Sequence, residues 1–486
     1  MEKNLSIWFT TPQKKMRPKT YNPFGVRESY EIYLAKNATE GCQISILSKE
    51  GGRTGFSIEL VNDHSNEFEV ELLREHYVSC DGALFPDPVV PNDFEFDIEE
   101  WKNVTYLINI KTNPNTKAGI YCVKILLKEN GELYGEYNVT VTVWNFCLDD
   151  TKYMETAFGI SLELIKEIQP SDDYEELYKK NYHCLLDRYH ICAYDLPYDI
   201  LDPRADEYMS NPKVKSFKIP YWGGDTSKLP LYYEKLSSNP EWLKKAYFYV
   251  VDEPQVLAHY DKIKEAHDKI EPFFPNHQQV SPFYMDPLDG NGVRAVELLQ
   301  GNCSVWCPKI CLFKDDWYTE YMRDRNAKGD RIWWYYCWEP ELPYANVFID
   351  LDAFYHRVLT WQQYLHGING MLYWRTTHWK HGSPWDVTSS VPDLSPYCFG
   401  DGSLFYNGDR VGIDGPVGSL RLEILRYAIE DYQMFELAAE AFGRDYVDEQ
   451  IRRITPKVYK YDDIHWHLEG VRQEIGDKLS EYYANK

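Results

Sequence analysis

The run "YFYVVDEPQVLAHYDKIKEAHDKI" (247–270) decides the fold. Five apolar residues, Tyr247 to Val251, read as a short buried strand that ends in Asp252, Glu253 and Pro254. From Val256 to Ile270 the apolar positions fall at helical spacing, so strand and helix form one βα unit. Working outward, the same alternation begins after Asp149-Asp150-Thr151 and fills the rest of the chain. Strands are expected at 156–161, 191–196, 215–221, 247–252, 279–285, 304–310, 332–338 and 370–376. Helices are expected between them, such as 174–188, 256–270, 351–365 and 420–441. Eight units over roughly 290 residues come near the ~250 residues typical of a (β/α)8 TIM barrel. A doubly wound open sheet is the competing arrangement, but no Gly-rich phosphate loop follows the first strand.

Upstream of residue 147 the period is two. The clearest hairpin turns at Glu129-Asn130-Gly131-Glu132, where Asn-Gly accepts the positive φ angles of a type I′ turn. The expected class is therefore multidomain, β plus α/β. An N-terminal β-sandwich covers 1–150, a (β/α)8 barrel 151–445, and a C-terminal helical tail packed on the barrel 446–486. The sandwich strands show mixed charge and no aromatic row, so this domain is expected to support the barrel rather than bind glycan.

Composition narrows the function. The formal net charge of −24, with no run of five basic residues, argues against nucleic acid and anionic membrane surfaces as partners. No apolar stretch is long enough to span a bilayer, and "MEKNLSIWFTTPQKK" lacks the apolar core of an export signal. The 11 cysteines are scattered without a CxxC pair, even where Cys303, Cys307 and Cys311 recur every fourth residue. Free thiols and a cytoplasmic location are expected. The 15 Trp and 40 Tyr are the unusual feature. Both side chains can stack on the C–H face of a sugar while reaching its hydroxyls.

Catalytic groups of such a barrel stand at the C-terminal ends of its strands, which singles out Asp252 and Glu253. Two carboxylates behind five apolar residues are costly near a core unless they are used. The plainer reading is that they cap the following helix. Aromatic residues near the other strand ends favour a sugar site: Trp222, Tyr284, Trp306, Trp334, Tyr336 and Trp374. Arg188 and His190, just before the second strand, join the expected substrate-binding set. One open pocket, lined by Asp252, Glu253, Tyr336 and Trp374, is expected.

Five segments carry a family resemblance: "YVVDEP" (249–254), "RIWWYYCWEPELPYANVFID" (331–350), "RVLTWQQYLHGINGMLYW" (357–374), "GDGSLFYNG" (400–408) and "GPVGSLRLEILRYAIEDYQMFEL" (415–437). In this order they resemble glycoside hydrolase family 123 and the wider domain-of-unknown-function 4091 group. The resemblance implies an exo-acting, retaining β-N-acetylgalactosaminidase whose adjacent Asp-Glu pair falls on Asp252 and Glu253. It also implies a substrate-side tryptophan in the loop after the eighth strand, here Trp385. Family members often read Asp-Pro-Trp there. This chain reads Ser383-Pro384-Trp385-Asp386, which leaves the sugar configuration open.

A double displacement needs two carboxyl groups ~5 Å apart across the sugar, and adjacent residues point differently. Substrate-assisted catalysis removes the conflict. The 2-acetamido oxygen attacks the anomeric carbon, Asp252 stabilises the oxazolinium, and Glu253 serves as acid and then base. The alternative is a clan A type β-glycosidase, in which Glu253 keeps its role and Glu339, at the end of the seventh strand, is the nucleophile. A non-catalytic sugar-binding homologue is a third reading. No metal or cofactor is expected for activity, because HExxH, EF-hand spacing and Cys/His arrays are missing from the sequence. The expected partner is a small glycan or oligosaccharide, with aglycone and oligomeric state left open.

Overall fold

A computed structural model describes residues 5–21, 27–91, 94–221, 224–392 and 398–486. Its N-terminal part holds β1 (Leu5–Thr10), β2 (Tyr30–Lys36), β3 (Thr39–Ser48), β4 (Arg53–Val61), β5 (Phe68–Cys80), β6 (Ala83–Pro91), β7 (Phe96–Ile98), β8 (Val104–Thr112), β9 (Gly119–Glu129) and β10 (Glu132–Cys147). They form two sheets, in orders β1-β3-β8-β5-β6 and β2-β10-β9-β4-β7. One apolar core joins their inner faces, with Ile44, Ile46 and Ile108 from one sheet and Ile32, Val123, Ile125 and Val141 from the other. The β9–β10 hairpin closes with Glu129 opposite Glu132. Asn130 and Gly131 between them take φ +49° and +81°, as the sequence required.

Beyond it lie β11 (Glu155–Phe158), β12 (Phe217–Lys218), β13 (Ala246–Tyr249), β14 (Gln279–Phe283), β15 (Val305–Pro308), β16 (Arg331–Tyr335) and β17 (Gly370–Tyr373). They run parallel in the order β11-β17-β16-β15-β14-β13-β12, a nearly closed barrel of seven strands among the described residues. This corrects the expected eight. The stretch 191–196 fills the gap without becoming a strand, through single bonds from Phe158 N to Cys192 O (3.0 Å), Tyr194 N to Phe158 O (2.8 Å) and Lys218 N to Tyr194 O (2.8 Å). The Cys192 amide is spent on Thr156 Oγ1 at 2.7 Å, and His190 enters the stretch at φ +58°, so no regular ladder can extend there.

Alternation sorts the barrel side chains. Ala157, Tyr247, Val280, Val305, Cys307, Trp333, Tyr335, Cys337 and Leu372 form the interior cluster. Their chain neighbours Phe248, Trp306, Trp334 and Met371, with Phe283 of β14, belong to the core shared with the surrounding helices. Helix Leu420–Phe442, capped by Ser419 Oγ on the Leu422 amide, is wedged between the two halves. Its Leu422, Leu425 and Ile429 enter the barrel–helix core. Leu420, Ile424 and Tyr427 pack on Leu73, Val89 and Leu107 of the N-terminal sheet.

The tail helix His465–Ala484 sends Leu468, Val471, Ile475 and Leu479 into the core shared with the barrel helices. It lies on β10, with Trp144 Nε1 donating to Asp477 at 2.7 Å and the Asn145 amide donating to Ser480 at 2.8 Å. Gly476 is required there, since a Cβ would sit 2.2 Å from the Trp144 indole. Arg472 ties the same helix to Asp431 of helix Leu420–Phe442. No helix among the described residues is long and apolar enough to cross a membrane.

Candidate active site

The inward parity of each strand, continued past its C-terminal end, builds one mouth. Above the filled layer of Tyr247 and Trp333, whose rings meet edge to face at 5.2 Å, come Tyr249, Tyr284, Lys309, Tyr335, Cys337 and Glu339. Asp252 is exposed and Glu253 half-buried. The Tyr249 hydroxyl donates to Asp252 Oδ1 at 2.8 Å. The Tyr335 hydroxyl donates to Glu253 Oε1 at 2.8 Å, and the Cys337 thiol lies 3.9 Å from the same oxygen. The two neighbouring carboxylates are thus turned to different partners. Glu253 achieves this with φ +42°, a left-handed conformation that costs a non-glycine residue about 1–2 kcal/mol.

Glu339 answers from the opposite side. Its Oε2 accepts from Tyr284 at 2.7 Å and from Lys309 Nζ at 2.8 Å. The Lys309 ammonium also lies 3.4 Å from the Tyr284 ring centroid. These contacts set two carboxyl groups apart in acidity. Burial, and then the Asp252 charge, hold the Glu253 carboxyl above its ordinary range, against the pull of the Tyr335 bond. The hydrogen bond from Lys309 holds Glu339 below its ordinary range. Two carboxyl groups pushed in opposite directions in one cleft is the pattern by which acid and base roles are divided.

Trp374 stands half-buried at the end of β17, with Nε1 donating to Asp401 at 3.0 Å. Asp401 also accepts from Tyr373 at 3.2 Å, and burial lifts its carboxyl to about 6. Gly402, at φ +69°, lets the loop pass against the indole, where a Cβ would stand 2.4 Å from Trp374.

The mouth therefore gathers Asp252, Glu253, Tyr284 and Trp374 from the expected set. Trp222 lies outside the described residues. Three of the expected residues are turned away by the strand period. Trp306, Trp334 and Tyr336 are fully buried in the helix-side core. Trp306 Nε1 bonds Asp330 at 2.7 Å, and the Tyr336 hydroxyl rests on Met371 Sδ at 3.2 Å. The expected pocket lining by Tyr336 is corrected accordingly.

Arg188 and His190 stand at the other end of the barrel, because they precede their stretch rather than follow it. Arg188 grips Glu71 of β5 (2.7 Å) and Glu423 (2.8 Å), and His190 stacks on Tyr153 at 3.9 Å. Both line a cavity of about 1040 Å³ between the N-terminal sheets and the barrel. Trp385 sits at the seam of the two halves, donating to Asn407 O at 3.0 Å and meeting His76 of β5 edge to face. Tyr249, Lys309, Tyr335 and Asp401 were not among the expected residues. Among the described residues, the side-chain grouping close enough to share a cation does not include Asp252, Glu253 or Glu339.

No curated protein matches the sequence. Among solved structures, the chain is similar to a family 123 glycoside hydrolase from Clostridium perfringens, described for glycolipid glycan hydrolysis. The match has a TM-score of 0.75 at 15% identity over 99% of each chain, which establishes a common fold. A family 39 glycoside hydrolase from Bacteroides cellulosilyticus aligns only loosely, with a TM-score of 0.35 at 9% identity over 82% of this chain and 81% of that one. Residues 213–438, which carry Asp252, Glu253, Lys309, Tyr335, Glu339 and Trp374, match the catalytic domain of glycoside hydrolase 123. This match, within a chain that has the fold of a family 123 structure, supports a glycosidase activity.

Proposed function

We propose that the chain is a glycosidase that removes a terminal β-linked N-acetylhexosamine, of the N-acetylgalactosamine type, by substrate-assisted catalysis with retention. The observation that carries this reading is the divergence of the adjacent pair. Asp252 is oriented by Tyr249 and Glu253 by Tyr335, so both face one mouth without opposing each other. In the proposed cycle the acetamido oxygen closes on the anomeric carbon. Asp252 Oδ1 is occupied by Tyr249, and its second oxygen accepts the acetamido N–H as positive charge develops. Glu253, whose hold on a proton burial strengthens, gives its proton to the departing glycosidic oxygen. It then takes one from the water that opens the oxazolinium. Acid–base assistance of this kind contributes typically ~10²–10⁴-fold. Trp374, anchored by Asp401, supplies a stacking face.

A specific observation keeps the clan A reading alive. Glu339 is in the same mouth and is held ionised. However, one of its oxygens is already tied to a cation and a phenol, which lowers its reach as a nucleophile and suits a positioning role. The deciding experiment compares aryl 2-acetamido-2-deoxy-β-galactoside and -glucoside with the matching 2-hydroxy sugars. Turnover confined to the acetamido sugars, and inhibition by a thiazoline mimic, are expected. Comparable turnover of the 2-hydroxy sugars, with a trapped ester on Glu339, overturns the proposal.

A further inference from the structure

Helix Leu257–Ile270 carries His267 in its last turn, and Glu271 follows as the helix's C-terminal cap. The connection to β14 then brings back His277, whose side chain is fully buried. One ligand atom from each of the three lies within 4.8 Å of the others, and the two imidazole centroids are 4.9 Å apart.

The hydrogen bonds fix what the buried ring presents. The Gln279 amide nitrogen donates to Ile263 O and Asn302 O, so its Oε1 is the atom that faces His277 Nε2, at 3.2 Å. Nε2 must therefore carry the proton. In the neutral ring His277 Nδ1 then turns its lone pair toward Glu271 Oε2 at 3.1 Å and Phe274 O at 3.1 Å. Three electron-rich atoms converge, and His267 Nε2 adds a fourth at 4.0 Å from the same Glu271 oxygen. The Glu271 carboxylate is held in place by the Asn276 amide, at 3.3 and 3.2 Å to its two oxygens.

We propose that His267, Glu271 and His277 bind a divalent transition cation, Zn²⁺ foremost, on the outer wall of the barrel. Two imidazoles and a carboxylate are a zinc-type donor set with one position left for water. Gln279 and the Asn276 amide are the outer partners such a site needs to orient its ligands. Zn–N and Zn–O bonds near 2.0–2.1 Å place tetrahedral ligands roughly 3.4 Å apart. Rotation of the partly exposed His267 ring closes the widest pair by up to ~1.4 Å, a contraction set by the same bond lengths. The site clasps the end of the helix to β13, since His277 meets Phe248 edge to face at 5.5 Å. It lies at the opposite end of the barrel from the mouth, so its role is structural and independent of the catalytic proposal.

The test uses the tag-free full chain, stripped with chelator and titrated with ZnCl₂ by calorimetry. Co²⁺ serves as a spectroscopic probe of four-coordinate geometry. One equivalent is expected to bind, with tetrahedral d–d absorption for Co²⁺. At about 100 times Kd, zinc should raise Tm by roughly 2–3 °C. Glu271→Gln and His267→Asn, both at partly exposed positions, should fold with an unchanged metal-free Tm and weaken binding at least tenfold. Absence of stoichiometric binding overturns the proposal. So does binding that is unaltered in both variants.

Discussion

The Tyr335 hydroxyl reaches Glu253 Oε1 at 2.8 Å, tying the end of β13 to β16 across the two strands that separate them. The bond favours the ionised form of Glu253, against the burial that favours the neutral acid. In Tyr335→Phe the Glu253 carboxyl should therefore rise further. The protonated acid is the active form, so activity is lost as pH climbs through this raised value. The alkaline limb of kcat/KM should move up by as much as about one pH unit in the variant, since ~1.4 kcal/mol is one unit. A limb that stays in place or moves down would show that Glu253 does not govern it.

Glu253→Gln should lose about 10²–10⁴-fold on substrates with poor leaving groups. On activated aryl glycosides, which leave almost unassisted, the loss should be small. Rates measured across a leaving-group series read this directly as a steepened dependence on leaving-group acidity. A uniform loss across the series counts against the acid role.

Asp252→Asn should lose rate on good and poor leaving groups alike, because it assists the attacking acetamido oxygen, which displaces the aglycone whatever the leaving group's acidity. It should also weaken the thiazoline inhibitor. Tyr249→Phe, which frees the carboxylate from its 2.8 Å partner, should show the same signature at roughly tenfold, the worth of one ~1.4 kcal/mol hydrogen bond.

Glu339→Gln and Lys309→Met should be comparatively mild and should raise KM more than they lower kcat. Kinetics on the acetamido substrates, with mass spectrometry of quenched reactions, separates this from a dead Glu339→Gln enzyme.

Stability has its own pH signature at Glu75. Among the described residues neither of its carboxyl oxygens meets a hydrogen-bond donor, and burial lifts the group to about 8. The folded value lies above the unfolded one. The associated stability is therefore complete below about pH 4.5 and drains away as pH rises through about 8. Glu75→Gln should stabilise the protein at pH 8 by on the order of 2–3 kcal/mol and flatten its stability between pH 5 and 8. Denaturant melts at several pH values measure it.

The sequence made the order of elements readable. The mouth was readable only where a charge or a strand end marked it. Asp252, Glu253 and Tyr284, which the structure places at the mouth, were legible because carboxylates and aromatics at strand ends stand out. Trp306, Trp334 and Tyr336 were misplaced because strands buried on both faces are apolar throughout, so no alternation reveals which side is inside. Glu339 held the missing signal: with a side chain at the mouth, period two puts Tyr335 and Cys337 on its face and turns Trp334 and Tyr336 away. Lys309 is linked to interior Cys307 in the same way. Arg188 and His190 precede their stretch, which assigns them to the far end. The missing eighth strand was not legible, because it turns on the Cys192 amide choosing a threonine hydroxyl over a neighbouring strand.

Helix Leu420–Phe442 also bears on how this enzyme can be rebuilt. Arg421 is fully buried against Asp87 of β6 at 2.8 Å, and Arg357 bonds Glu40 of β3 at 2.6 Å. A gene trimmed to its catalytic segment would keep both guanidinium groups and discard both carboxylates. It would also bare the apolar face of Leu420, Ile424 and Tyr427 to water. Stripping a buried charge of its counterpart costs about 3–5 kcal/mol; Arg421 would lose Asp87, while Arg357 would lose Glu40 and keep Asp431 at 2.8 Å. The N-terminal sheets therefore cannot be treated as a detachable module. A chimera that borrows this barrel has to borrow the sheet surface that neutralises it.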